Sequence, residues 1–222
     1  MIRVRLTMAS RKPKQIKSLA RPGATRAPYA KVLIVCEGKK TEPNYFNELK
    51  QHYKIPSANI VITGDCRSDP LSIVNHAKKL YAEQQDLGDA FDQIYCDFDR
   101  DTHSNYADAV RAIDAVKRRA PFHAIRSVPC FEYWLLLHYH YTTKPYYETD
   151  KKSPCEQVLA DLRANYHGYK KGSTGTFGHL LSRLEEAKVN AAQSLKAATA
   201  QGTANPSTQI QELVAFLQTI HD

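Results

Sequence analysis

From residue 30 onward the chain alternates short apolar runs with longer stretches in which apolar residues recur every three or four positions. Val32-Leu-Ile-Val-Cys36 is an unbroken apolar run, the pattern of a strand covered on both faces. Asn59-Ile-Val-Ile-Thr63, Gln93-Ile-Tyr-Cys96 and His123 to Val128 read as three further strands. Between these runs the period changes. Glu42 to about Tyr53 reads as a helix with Thr41 as its N-cap. Asp69-Pro70 sets a capping side chain ahead of a proline at the first helical position, and Leu71, Val74, Ala77, Leu80 and Tyr81 form the stripe behind it. Ser104 caps a helix carrying Tyr106, Val110, Ile113 and Lys117. Pro129 to His138 reads as a buried helix opening. A Tyr-rich loop follows, then helices near 154–166 and 177–198, and a last helix that starts at Asn205-Pro206 and buries Ile210, Leu213, Val214, Leu217 and Ile220.

Strand and helix in this alternation predict an α/β fold: a mostly parallel central sheet with right-handed crossovers, flanked by helices, with further helices at the C-terminal end. Three segments follow. Residues 1–30 lack periodicity and carry Pro13, Pro22, Gly23 and Pro28, so they read as a flexible arm. Residues 31–140 form the α/β core, and 141–222 a helical part packed on it. In open sheets of this kind ligands gather beyond the carboxyl ends of the strands. That rule selects the residues after Cys36, Thr63, Cys96 and Val128, and so Glu37 and the run Asp97-Phe-Asp-Arg-Asp101.

Composition narrows the class. The 222 residues are 42% hydrophobic and 24% charged, ordinary for a soluble globular chain with a real core. No apolar run approaches the roughly 20 residues that span a bilayer, and the N-terminus lacks the apolar stretch of a secretory signal. The expectation is a cytoplasmic protein with no membrane partner. Five widely spaced cysteines without a CxxC pair speak against a disulfide framework and a structural zinc site; Cys36 and Cys96 are assigned to packing. Residues 1–31 hold nine of the 31 basic residues and no acid, which leaves 22 basic against 23 acidic residues in the rest. The positive charge therefore belongs to the arm, where Arg11, Lys12, Lys14 and Lys17 are candidates to hold a polyanion by counterion release. A solubilising tail accounts for the same residues equally simply.

The candidate chemistry is acidic. Glu37 is followed at once by Gly38, and Asp97, Asp99 and Asp101 recur at spacings of two, so on an extended backbone all three face one side. Carboxylates converging at one end of a sheet repel unless a cation sits among them, and hard oxygen donors suit Mg²⁺ or Mn²⁺. The plainer account of the Asp run is a helix-entry loop whose acids cap or face solvent.

A strand ending in Glu-Gly and a later acidic Asp-x-Asp after a strand resemble the Toprim domain. Four blocks in order resemble the RloB family in particular: Leu33 to Phe46, Asp97 to Asp101, Pro129 to His138, and Asn205 to Thr208. That resemblance implies a Toprim-like fold and a metal-dependent nuclease acting on DNA or RNA. Its site would be built on Glu37, Asp99 and Asp101, with Asp97, Glu42 and Glu132 as further metal ligands. Asp99 with Asp101 matches the family pair best, and Asp97 with Asp99 is the second frame. Lys39, Lys40 and Arg100 are candidates to hold phosphate, Tyr45 a weaker one for covalent attack, and a buried pair with Lys or Arg is the alternative role for Glu132. The family's association with restriction and phage-defence loci implies an effector gated by an AAA-type ATPase partner. Homo-oligomers are compatible with the pattern. Two other functions use the same residues: a catalytically silent Toprim scaffold that binds nucleic acid and docks to the ATPase, and a nucleotidyl transferase.

Overall fold

The structure is a computed structural model that describes residues 30–56, 59–65, 69–100, 105–116 and 120–220. Arg11, Lys12, Lys14 and Lys17 of the arm, Cys66, Asp101, the cap assigned to Ser104 and Lys117 lie outside the described residues.

Five strands form one sheet in the order β2-β1-β3-β4-β5. Strands β1 (Val32–Cys36), β2 (Ile60–Thr63), β3 (Gln93–Asp99) and β4 (Phe122–Val128) are parallel. The connecting helices are α1 (Thr41–His52), α2 (Pro70–Asp86) and α3 (Tyr106–Val116). Every residue of β1 is buried, as its central place between β2 and β3 requires. A fully buried Val, Leu or Ile contributes about 1.5–3 kcal/mol, which makes this strand an anchor for the fold.

Helix α2 starts as the sequence dictates: the Asp69 side chain accepts from Ser72 N at 3.0 Å, with Pro70 at the first position. Its buried stripe is Ile73, Val74 and Ala77, rotated from the expected one because Leu71 is only part-buried. Helix α1 differs at its start. Lys40 occupies the cap position without a side-chain bond, and the Thr41 hydroxyl accepts instead from the backbone N–H of Gly172 at 3.0 Å.

The C-terminal part departs further from the periodic reading. After α4 (Glu132–Leu136) and α5 (Pro154–Asn165), the stretch expected as one helix is broken into α6 (Thr176–Leu180), a 3-10 turn over Leu181–Arg183 and α7 (Leu184–Ala200). No helix starts at Asn205-Pro206. Ser207–Thr208 form β5, which runs antiparallel to Ser127–Val128 at the sheet edge, and α8 begins at Ile210 and ends at Thr219. The last helix starts late because the chain first spends two residues closing the carboxyl end of β4. Two apolar cores flank the sheet. One joins Leu33, Val35 and Ile94 to α2 and α3, and the other joins Val32, Ile34 and Cys36 to α1, α4 and the C-terminal helices.

Candidate metal centre

Four chain segments bring acids to the carboxyl end of the parallel sheet. Glu37 leaves β1 directly, Glu42 stands in the first turn of α1, Asp97 and Asp99 end β3, and Glu132 opens α4. Strand β3 continues through the acidic run that composition marks as loop, because Asp97 pairs with Cys36 on one side and Ile125 on the other, and Asp99 with Ser127. Residues two apart on a strand share a face, so the same pleat presents Asp97 and Asp99. Asp97 is 1% exposed, Glu132 2% and Glu42 7%, whereas Glu37 and Asp99 are part-buried.

The backbone leaves room for these groups at two glycines. A Cβ on Gly38 would overlap Glu42 Oε2 and lie 3.0 Å from its Cδ, so the Glu42 carboxylate leans back over the β1–α1 turn. A Cβ on Gly64, just past β2, would overlap the Gly38 carbonyl oxygen. The two turns touch backbone to backbone, and the pairing of Cys36 with Asp97 holds Glu37 beside β3. There its Oε2 accepts the Asp99 N–H at 2.9 Å.

The electrostatics follow from crowding. Burial lifts the Glu42 carboxyl to about 7, and Glu132 and Glu37 add to the lift against its own backbone N–H and Lys171. Burial also raises Asp97 well above the carboxylate range, with Glu42 and Glu37 contributing. Asp99 is raised by burial and then by Glu37, Glu42, Glu132 and Asp97. Each acid thus feels the others. Among the described residues no Lys or Arg forms a salt bridge to Glu42, Asp97 or Asp99.

Glu132 is the exception. Its Oε1 accepts from the Tyr169 hydroxyl at 3.3 Å and lies 3.2 Å from Lys171 Nζ. Nothing in the local sequence signals these two partners, which come from the loop between α5 and α6. The paired alternative for Glu132 is therefore the one seen, with Lys171 as the base.

Among the described residues, no group of three or more His, Cys, Asp or Glu side chains is set to hold a metal ion. Two of the acids are turned to protein donors: Glu37 to the Asp99 N–H, and Glu132 to Lys171 and Tyr169. Two oxygens nevertheless fit a cation. Glu42 Oε2 and Asp97 Oδ2 are buried without a hydrogen-bond partner, a state that costs about 1–3 kcal/mol or more for a charged group. A cation drawn to Glu42 and Asp97 would satisfy them.

The remaining candidates separate cleanly. Lys39, Lys40 and Arg100 are exposed at the strand ends, and the Arg100 guanidinium lies 5.6 Å from the centroid of the Tyr106 ring. Tyr45 is 1% exposed and packed edge-on against Phe131 and Phe177, so it is a core residue and has no access for covalent attack. His138 is buried, with its Nδ1 3.0 Å from the Trp134 carbonyl oxygen, and burial holds its imidazole down at about 4. Cys36, Cys96, Cys130 and Cys155 are buried thiols.

The RloB-like protein family model matches residues 32–217, a span that holds both strand-end acid groups and the loop bearing Lys171. The chain belongs to the RloB-like family. No curated protein and no solved structure matches it. Within this RloB-like chain, among the described residues, no helix is long and apolar enough to cross a membrane. The family match begins at β1 and ends in α8, so it embraces the sheet and the C-terminal helices together.

Proposed function

We propose that this RloB-like protein is a Mg²⁺- or Mn²⁺-dependent nuclease that hydrolyses nucleic-acid phosphodiesters at the carboxyl end of its sheet. The observation that carries the reading is the pair of buried, unpartnered carboxylate oxygens, Glu42 Oε2 and Asp97 Oδ2, inside a group of mutually repelling acids.

Glu42, Asp97 and Asp99 would hold the ion. When bound, it supplies charge neutralisation for the phosphate and a lowered pKa for attacking water. Glu37 fixes the end of β3 through the Asp99 N–H and sets the register of the two aspartates. In the metal-free protein the Glu42 carboxyl sits near 7, so ion binding around neutral pH would release its proton. Lys39, Lys40 and Arg100 rim the acids from exposed positions and can take phosphate oxygens on either side of the scissile bond. Asp101 extends the acidic run beyond the described residues. The basic residues of the arm add affinity that does not depend on sequence. The resemblance to defence-locus proteins supports a cytoplasmic effector of phage defence or restriction, gated by an AAA-type ATPase.

Asp99→Asn tests the proposal. Single- and double-stranded DNA and RNA are incubated with the wild type and the variant in Mg²⁺ or Mn²⁺, with and without candidate ATPase partners. Cleavage should be lost in the variant while its melting temperature is kept. The second reading, a silent scaffold, draws on the lack, among the described residues, of any group of three acids, His or Cys set to hold a metal ion. It prevails if the wild type cleaves nothing under any of these conditions and neither ion shifts its melting curve.

A further inference from the structure

Residues 166–175 form a strap between α5 and α6 whose backbone is fastened to the start of α1. The Gly172 N–H donates to Thr41 Oγ1 at 3.0 Å, and the Gly172 carbonyl accepts from Asn44 Nδ2 at 3.0 Å. Gly172 has φ of +74°, and a Cβ there would press on Lys40 Cβ at 3.0 Å, so glycine is required both for its backbone and for its lack of bulk. Next to this fastened residue, the Lys171 side chain is 53% exposed and its ammonium lies 3.2 Å from Glu132 Oε1. Tyr169, from the same strap, holds that oxygen with its hydroxyl at 3.3 Å and is itself buried.

We propose that Lys171 is the resident counter-cation of the acidic site, holding Glu132 until a divalent ion displaces it and so setting how tightly that ion binds. The inference rests on the divalent-ion reading above. An oxygen that already accepts from an ammonium and a hydroxyl has no approach left for a metal at about 2.1 Å. Like charges also keep an ammonium and a divalent ion from sharing it. Glu132 Oε1 joins the ion only if Lys171 leaves, and the half-exposed four-carbon stem lets it swing outward while Gly172 stays in place. In the metal-free protein the ammonium offsets part of the repulsion among Glu37, Glu42, Asp97, Asp99 and Glu132. In the metal-bound protein it is a competitor.

Mn²⁺ binding to the full chain without nucleic acid tests this, read by calorimetric titration and by the electron-spin signal of free Mn²⁺. Lys171→Gln keeps a donor for Glu132 but removes the charge. It should bind Mn²⁺ more tightly, on the order of tenfold given the strength of a nearby unit charge in a partly buried site. Its metal-free melting temperature should fall, and the rise on adding Mn²⁺ should be larger than in the wild type. Lys171→Arg keeps the charge and should stay within about threefold of the wild type by the same reckoning. If the wild type binds Mn²⁺ and Lys171→Gln binds it equally or more weakly, the counter-cation inference is overturned and the metal site stands. If neither protein binds Mn²⁺, the metal site falls and the inference falls with it.

Discussion

Glu42→Gln should stabilise the metal-free protein at neutral and alkaline pH and leave it unchanged in acid. Glu42 is 7% exposed, and burial, reinforced by Glu132 and Glu37, lifts its carboxyl from 4.5 to about 7. The unfolded chain gives up this proton near pH 4.5 and the folded chain only near 7. Across that window the folded state binds more proton than the unfolded state, so stability falls as pH rises. Every tenfold difference in proton affinity between the two states is worth about 1.4 kcal/mol, and the interval from 4.5 to 7 sets a ceiling of ~3 kcal/mol. In a chain of 222 residues that corresponds to roughly 6–12 °C in melting temperature. Glutamine does not titrate and removes the penalty. Melting curves in EDTA from pH 4.5 to 8.5 should therefore coincide at the acid end and separate steadily above it. Added Mg²⁺ should then stabilise the wild type more than the variant, because relief of carboxylate repulsion is the service the ion performs. A Glu42→Gln protein that melts below the wild type at pH 8 in chelator would refute this reasoning, since it would mean the carboxylate is already well partnered.

The two glycines at the strand ends should respond in opposite ways. Gly38→Ala pushes on the end of the Glu42 side chain, so it should leave the melting temperature close to wild type and abolish the extra stability conferred by Mg²⁺. Gly64→Ala meets the backbone carbonyl of Gly38 and should cost about 1–3 kcal/mol in chemical denaturation. His138 supplies a slope opposite in sign to that of Glu42. Burial holds its imidazole down from 6.5 to about 4, so the folded state binds less proton than the unfolded one in that window, and its contribution is lost as pH falls through it. In a Glu42→Gln background, adding His138→Asn should flatten the loss of stability between pH 6.5 and 4, whatever it does to absolute stability.

The parallel sheet is legible in the sequence because strands buried on both faces must be continuously apolar, and β1 is the clearest case. The strand-end rule then points to Glu37 and the Asp97–Asp101 run from topology alone. What the sequence conceals is instructive in each instance. Asp97 and Asp99 carry low strand propensity, so β3 reads three residues too short; tertiary pairing with β1 and β4 overrides the local preference. Strand β5 is a Ser-Thr pair with no hydrophobic period to announce it. The break at Leu181–Arg183 falls inside an uninterrupted apolar pattern. Lys171 and Tyr169 sit in a stretch of Tyr, Lys, Gly and Ser that has the composition of an ordinary exposed loop. Their meeting with Glu132, 37 residues upstream for Tyr169, is set by packing between segments.

The fastening of Gly172 to Thr41 spans 131 positions, and it dictates when the site can exist. A nascent chain displays Glu37, Glu42, Asp97 and Asp99 long before the strap emerges from the ribosome, and closures over so long a separation come late in folding. Shortened translation products that stop before residue 171 would carry the acids with no ammonium opposite Glu132. Such fragments would remain self-repelling at the sheet end, and the completed pairing is reserved for chains that extend past Gly172.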